Sequence, residues 1–525
     1  MRRLLATLVL LAGAGAAAAQ PAADGPSWET PMSAGDRAFQ QGRYAEAERF
    51  FAAALERAER IGAQDPRVAL SLGLLAAAHQ AGGHYARAEP LLRRALTIAE
   101  GALGPDHPEV AAALTALGGL GSVQGRYAQA EPLLRRALTI DERVLGPEHS
   151  EVARPLDALA SVERRQGRYG EAEMRSRRAL AIREKTLGPE HAEVATSLAA
   201  LAALYRIQSR YAETEQLAQR ALMIREKALG AEHPDVVSPL VTLSEAYAEQ
   251  GRFADAEPLA RRALSVAEKA LGPEHPEVAS AVEPLAGLAR IRGRYAEAET
   301  LARRALAIRE KALGPEHPDV AAVLAGLAEI SLLGQGAAQA EPLARRALAI
   351  QEKALGPEHP DVARSLRALG EAQRLQARFP EAEPSYQRAL AIDEKRLGPE
   401  SPSVALDLGG LGTLYRLQGR FAQAEPLYRR AQAISEKTLG PEHPQVAANI
   451  IELAMLHRLQ SRFAQAEPLY QWALTLQRKS LGPDHPEVAE SLEEYATLLK
   501  QTNREAEAAE IEAQARAIRA KAAPR

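Results

Sequence analysis

The chain has no cysteine among its 525 residues. Disulfides, zinc–thiolate centres and thiol nucleophiles are therefore excluded. Aromatic residues are scarce at 4%, so alanine and leucine supply most of the 46% apolar content. Neither sign of charge dominates: 65 basic side chains face 68 acidic ones, for a net charge of -3. That balance gives no field for nucleic acid or an anionic membrane surface. Past the first twenty residues, charges recur every few positions, and no stretch is apolar enough to cross a bilayer. Signatures of catalysis are missing too: there is no Walker loop, no H-E-x-x-H and no G-x-S-x-G. The placed histidines and acids have repeat-periodic equivalents, whereas an active site is a unique grouping. The chain reads as a non-enzyme with no cofactor and no metal site. Only a non-periodic cleft with convergent polar groups would revive an enzymatic reading.

What is present begins with an export signal. Arg2 and Arg3 precede an apolar core from Leu4 to Leu11, and Ala17-Ala18-Ala19 forms an A-x-A cleavage site before Gln20. Residues 1–19 are expected to be removed, with an uncleaved anchor as the alternative. Residues 20–32, with Pro21, Pro26 and Pro31, are expected to be a disordered leader. The mature chain is then exported, to a bacterial periplasm or the exterior, with no further membrane insertion.

A repeat of period 42 fills the rest. Glycine recurs at Gly104, Gly146, Gly188, Gly230 and on to Gly482, and an aromatic recurs at Tyr85, Tyr127, Tyr169 and Tyr211 in the same register. Residues 105–146 serve as a specimen. Pro108 starts a helix where its missing N–H costs nothing. Val110, Leu114, Leu117 and Leu120 follow at helical spacing. Gly125 breaks that helix and Arg126-Tyr127 opens a second, whose stripe is Ala130, Leu134, Ala137, Leu138 and Val144. Gly146-Pro147 stops it, with glycine expected in the left-handed C′ conformation. One such pair cannot bury its apolar faces alone, so neighbours must stack into an all-α solenoid. About eleven repeats are expected over residues 33–503, with a capping helix and tail over 504–525. The first helix of each pair (helix A) is expected on the concave side and the second (helix B) on the convex side.

Some residues strain this scheme. Pro132 and its equivalents Pro90, Pro258, Pro342, Pro384, Pro426 and Pro468 fall in the second turn of helix B, while Pro155, Pro239 and Pro284 fall inside helix A. Kinks are expected at these points. Gly334-Gln335-Gly336 replaces the usual turn and marks the expected point of greatest mobility.

The run Gly125-Arg126-Tyr127-Ala128-Gln129-Ala130-Glu131-Pro132-Leu133, with Leu145-Gly146-Pro147-Glu148-His149, resembles the 42-residue tetratricopeptide repeat of kinesin light chains and many bacterial proteins. The resemblance spans residues 33 to about 520 and implies a right-handed superhelix of antiparallel helix pairs that binds peptides or partner helices in its groove. The family's paired helix-A asparagines do not carry over: the matching positions are Thr115-Ala116, Ala199-Ala200, Ala325-Gly326 and Gly409-Gly410, and the chain's asparagines are Asn449 and Asn503.

Three periodic sets remain. Histidines at His107, His149, His191, His233, His275, His317, His359, His443 and His485 suggest a metal ladder. Neighbours a repeat apart, ~10 Å, cannot share an ion with bonds of ~2 Å, so these are expected to be structural residues before a helix start. Arg164, Arg206, Arg290, Arg374, Arg416 and Arg458 share a helix-A register on the groove side. They form either a rail for an acidic or carboxylate-bearing protein or peptide, or internal ion pairs such as Glu371 with Arg374. Tyr205, Tyr247 and Tyr415 are expected to pack between repeats. The functional expectation is a scaffold that binds protein segments in its groove. The alternative is a structural spacer or self-assembling solenoid without a specific ligand.

Overall fold

The computed structural model describes residues 27–334 and 336–522. The expected signal and most of the expected leader lie outside the described residues, as does Gln335 of the anomalous turn. Among the described residues there are 24 α-helices and two short 3-10 helices, and no strand. No described helix is long and apolar enough to cross a membrane.

The helices alternate as expected. In the specimen repeat, helix A spans Pro108–Val123 and helix B spans Tyr127–Leu145. Val110, Leu114, Leu120, Leu134 and Ala137 are fully buried, which links the spacing directly to the core. Val144, placed on the stripe by spacing, is 48% exposed. The small residues permit close approach: a Cβ on Gly118 would stand 2.5 Å from Leu134 Cγ. In the C-terminal repeats the large core positions are Tyr386, Tyr428 and Tyr470, all buried, and Gly410 and Gly412 make room for the first two rings.

The array is longer than the period count gives. It opens with helix Glu29–Gln40, so residues 29–32 are helix rather than leader. It closes with Pro486–Gln501 packed on Glu505–Ala522. The final helix thus acts as helix B of a twelfth pair, and Arg504 keeps the ladder position at its start, bonded to Glu467.

The prolines act differently from the kinks expected. Helix B runs unbroken through Pro132, and helix A runs unbroken through Pro284. Two helix-A prolines change the start instead. Pro155 and Pro239 lie just after 3-10 turns, Ser150–Val152 and Pro234–Val236. Neither proline has an N–H to donate to the carbonyl four residues back. At the second site that carbonyl, Asp235 O, accepts from Arg225 Nη1 at 2.6 Å.

Two glycine positions also separate. The glycine closing helix B is not in the left-handed helical region: Gly146 has φ 91° and ψ 151°, a region essentially reserved for glycine. The turn between helices A and B needs only a left-handed residue. Gly125 serves there with φ 72°, but Ser209, Ala377, Ser461 and Asn503 fill the same turn at φ 57° to 60°.

The solenoid closes on itself. His275 Nε2 lies 2.9 Å from Ala81 O, His317 Nε2 2.8 Å from Val123 O, and His485 Nε2 2.6 Å from Ile291 O, each pair 194 residues apart. Pro234 packs against the turn glycine Gly42, 192 residues earlier, and Pro276, Pro318 and Pro486 pack against Gly83, Gly125 and Gly293, each 193 residues earlier. One superhelical turn therefore takes about 4.6 repeats, and each turn rests on the next.

Candidate functional site

The inner face is built from helix A, and its charges are largely paired to one another. The six arginines of the candidate rail all lie in the last turns of helix A, but the structure treats them differently. Arg416 Nε contacts Glu452 Oε2 at 3.1 Å, and Arg458 Nη2 contacts Glu494 Oε2 at 2.8 Å, both one repeat onward. Each also reaches a buried tyrosine hydroxyl, Tyr428 and Tyr470. Arg206 pairs with Glu245 at 3.1 Å and with Glu249. Arg374 pairs with Glu371 of its own helix, Nε to Oε2 at 2.9 Å, and Glu371 in turn accepts from the Tyr386 hydroxyl at 2.6 Å.

Arg164 and Arg290 have no hydrogen bond or ion pair among the described residues. Burial pulls the Arg164 guanidinium down to about 10, and the neighbouring cation Arg165 adds to the effect. Arg165 itself crosses to the next superhelical turn and pairs with Asp319, which also meets Arg309 at 3.3 Å. Glu283 with Arg309 (2.6 Å) and Glu329 with Arg364 (2.7 Å) continue this axial network. Their side chains keep 13% to 43% of their exposure, so water still reaches them and their pairing is screened. One helix junction holds a drier cluster. Asp393 and Asp407 share Arg367, and burial followed by the Asp407 charge pushes Asp393 up to about 8.

The periodic histidines have a definite role. His107, His149, His191, His233, His275, His317, His359, His443 and His485 are N-caps of helix A, or of the 3-10 turn that precedes it. Each Nδ1 accepts from the backbone N–H two residues on, at 3.0 Å to 3.2 Å. The Nε2 of His275, His317 and His485 meets a carbonyl of the preceding superhelical turn. Both nitrogens are thus engaged in a neutral ring, accepting at Nδ1 and donating from Nε2. Burial holds His275 and His317 below the usual range and takes His443 to about 4.

The convex face carries ladders. At most junctions a helix-B glutamate meets an arginine 37 residues on, as in Arg126–Glu89, Arg168–Glu131 and Arg210–Glu173. Tyr205, Tyr247 and Tyr415 close these ladders: their hydroxyls bond Glu173, Glu215 and Glu383, and Arg210, Arg252 and Arg420 stack on their rings at 3.6 Å to 3.9 Å. The helix-B arginine pairs are tied in as well: Arg135 bonds Glu131, and Arg136 bonds Glu100 and Pro105 O.

Periodicity hid one grouping. Glu48, His79 and His84 bring their ligand atoms within 4.8 Å of one another. His84 stands where the other ladders have arginine, so its departure from the period was the available signal.

Models of the tetratricopeptide repeat match residues 34–101, 122–185, 151–227, 193–269, 330–395, 403–479 and 449–521, with further tetratricopeptide models at 279–319 and 78–143. No curated protein matches. Solved structures do. A putative kinesin light chain of nearly identical TPR-like repeats from Podosopora anserina is 30% identical over 39% of this chain and 98% of its own, with a TM-score of 0.32. BtubC (BKLC) from P. vanneervenii is 23% identical over 47% of this chain and 92% of its own, at 0.34. A Rap protein complexed with Competence and Sporulation Factor is 15% identical over 71% of this chain and 99% of its own, at 0.54, which supports the solenoid fold. With models covering most of its length and helix pairs throughout, this chain belongs to the tetratricopeptide repeat family.

Proposed function

We propose that the protein is a non-catalytic scaffold that holds polypeptide partners, and that its inner helix-A face contributes to that binding. The observation that carries this reading is the pair of arginines, Arg164 and Arg290, which make no hydrogen bond or close ion pair among the described residues and feel Asp319 and Glu329 only at longer range, in a register where the other four are directly paired. A guanidinium crowded by Arg165 gains most from a carboxylate supplied in trans, through bidentate hydrogen bonds. The preferred partner is therefore an acidic protein segment. A Rap protein of similar fold is complexed with a separate factor, and binding of a segment along the helix-A face is the corresponding reading here. Exported placement, periplasmic or secreted, is part of the same proposal.

A second reading has its own support. Four of the six arginines are paired internally, and successive turns touch, so the array also has the build of a rigid spacer. The two readings separate in one experiment. Full-length protein and the variant Arg164→Ala/Arg290→Ala are used to capture partners from an envelope extract, and anisotropy is recorded with a fluorescent oligoglutamate peptide. The scaffold reading expects binding that weakens with salt and falls at least tenfold in the variant, about 1.4 kcal/mol. Identical capture and no peptide binding by either protein favour the spacer. Arg416 and Arg458 are poor test positions, because removing them strands Glu452 and Glu494.

A further inference from the structure

The first two helix pairs depart from the convex ladder at three positions at once. At four later junctions a glutamine two residues before the ladder arginine accepts a hydrogen bond from it, as Gln166 does from Arg168 at 2.5 Å. At the first junction Glu48 keeps the glutamate, on helix Tyr44–Ile61. The arginine is replaced by His84, at the start of helix Tyr85–Leu103, and the glutamine by Gly82. His79, in the last turn of helix Pro66–Ala81, completes the group. His79 Nδ1 lies 3.1 Å and His84 Nδ1 3.0 Å from the same atom, Glu48 Oε1. His79 Nδ1 is sealed from solvent and makes no hydrogen bond. The glycine keeps the space open: a Cβ on Gly82 would stand 3.0 Å from Glu48 Oε1 and 3.4 Å from His84 Nδ1. Among the described residues this is the one cluster of three such donors that could hold an ion.

The geometry points to a binding site for a divalent transition-metal ion, best filled by Zn²⁺, formed by Glu48, His79 and His84. A tetrahedral zinc with bonds of ~2.0–2.1 Å sets its ligand atoms ~3.3 Å apart, and the two nitrogen–oxygen edges already stand close to that. Imidazole with carboxylate suits zinc and its neighbours, whereas calcium and magnesium take oxygen shells. Three protein ligands leave one position for water or for a donor from a partner. Bound there, the ion pins helix B of the first pair to both helices of the second. It thereby clamps the first helix pair among the described residues to the second. Both Nδ1 atoms must be free of hydrogen to ligate, so uptake releases protons and weakens in acid.

The test uses the full chain and the metals alone. Titration with Co²⁺ is followed by visible absorption and titration with Zn²⁺ by calorimetry. One equivalent is expected to bind, with tetrahedral cobalt bands and a rise in unfolding temperature. His84→Arg restores the ladder pair seen at Arg126 and Glu89, so it should unfold in chelator no lower than the natural chain while binding zinc at least ~100-fold more weakly. His79→Ala should lose affinity likewise. His275→Ser, which alters a cap far along the chain, should bind as the natural chain does. Absence of uptake by the natural chain at roughly 100 μM zinc, or equal affinity in His84→Arg and His79→Ala, overturns the assignment.

Discussion

Asp393→Asn should make the protein less sensitive to alkali. The side chain of Asp393, on helix Phe379–Leu397, is 2% exposed, and that of Asp407, on helix Pro402–Leu417, is fully buried. They share a single cation: Arg367 Nη1 lies 2.6 Å from Asp407 and 3.7 Å from Asp393. One guanidinium cannot neutralise two carboxylates, so Asp393 keeps its proton up to about 8 and donates it to Asp407. Asp393 Oδ1 and Asp407 Oδ2 are buried and have no other hydrogen-bond partner. Because the folded-state value is raised, its stabilisation is fully present below the unfolded value of 3.8 and is lost as pH climbs through about 8. At about 1.36 kcal/mol per unit, a single group titrating there loses about 1.4 kcal/mol between pH 7 and pH 9. Asparagine donates the same hydrogen bond without titrating. Urea unfolding of both proteins at pH 6, 7, 8 and 9 reads the difference directly. The natural chain should lose about 1.4 kcal/mol relative to the variant over the last two units. A difference that stays constant with pH, or grows the other way, would refute the shared-proton account.

Other expectations run alongside. His443→Asn keeps a cap acceptor but cannot gain a proton; since burial takes His443 to about 4, the natural chain loses stability as pH falls from 6.5 toward 4, and the variant should lose less in the same acid titration. Gly293→Ala places a Cβ 2.7 Å from Pro486 Cγ, whereas Gly419→Ala in the same turn meets nothing within 4 Å; the first should cost ~1–3 kcal/mol more than the second in thermal unfolding. Gly410→Ala drives a Cβ to 2.5 Å from the Tyr386 ring and should destabilise, while Gly409→Ala, with only Asn449 Oδ1 at 3.8 Å, should be neutral or gain up to ~1 kcal/mol of helix propensity.

Much of the repeat unit was legible because its signals are local. Proline at helix starts, glycine at helix ends and leucine at helical spacing each act within one turn, and they locate the helix pairs. Helix B tolerates Pro132 because one lost backbone bond is outweighed by a stripe buried on both neighbours, which propensity alone does not weigh. The histidines were legible as loop residues before a helix, but not as caps that also touch a carbonyl 194 residues away. The rail was legible as a register, yet its pairings depend on acids one repeat on, such as Glu452, or a superhelical turn away, such as the Asp319 that meets Arg165. Glu48, His79 and His84 escaped because periodic reading averages away a departure confined to a single repeat.

The contact between coils leaves its own trace in the turn residues. Gly42, Gly83, Gly125, Gly167, Gly251 and Gly293 lie under a proline or histidine of the following coil. Among the described residues no later coil covers the turns at Ala377, Gly419, Ser461 and Asn503, and three of these four are not glycine. Ser401, the helix-A cap where a serine replaces the bulkier histidine, stands 192 residues after Ser209, in the register that His359 and His443 hold toward Gly167 and Gly251. The molecule is wound like a spring closed coil against coil. A fragment shorter than five repeats would have stacking but no seam. In the full chain, tension along the axis meets these seams before any single helix begins to unravel.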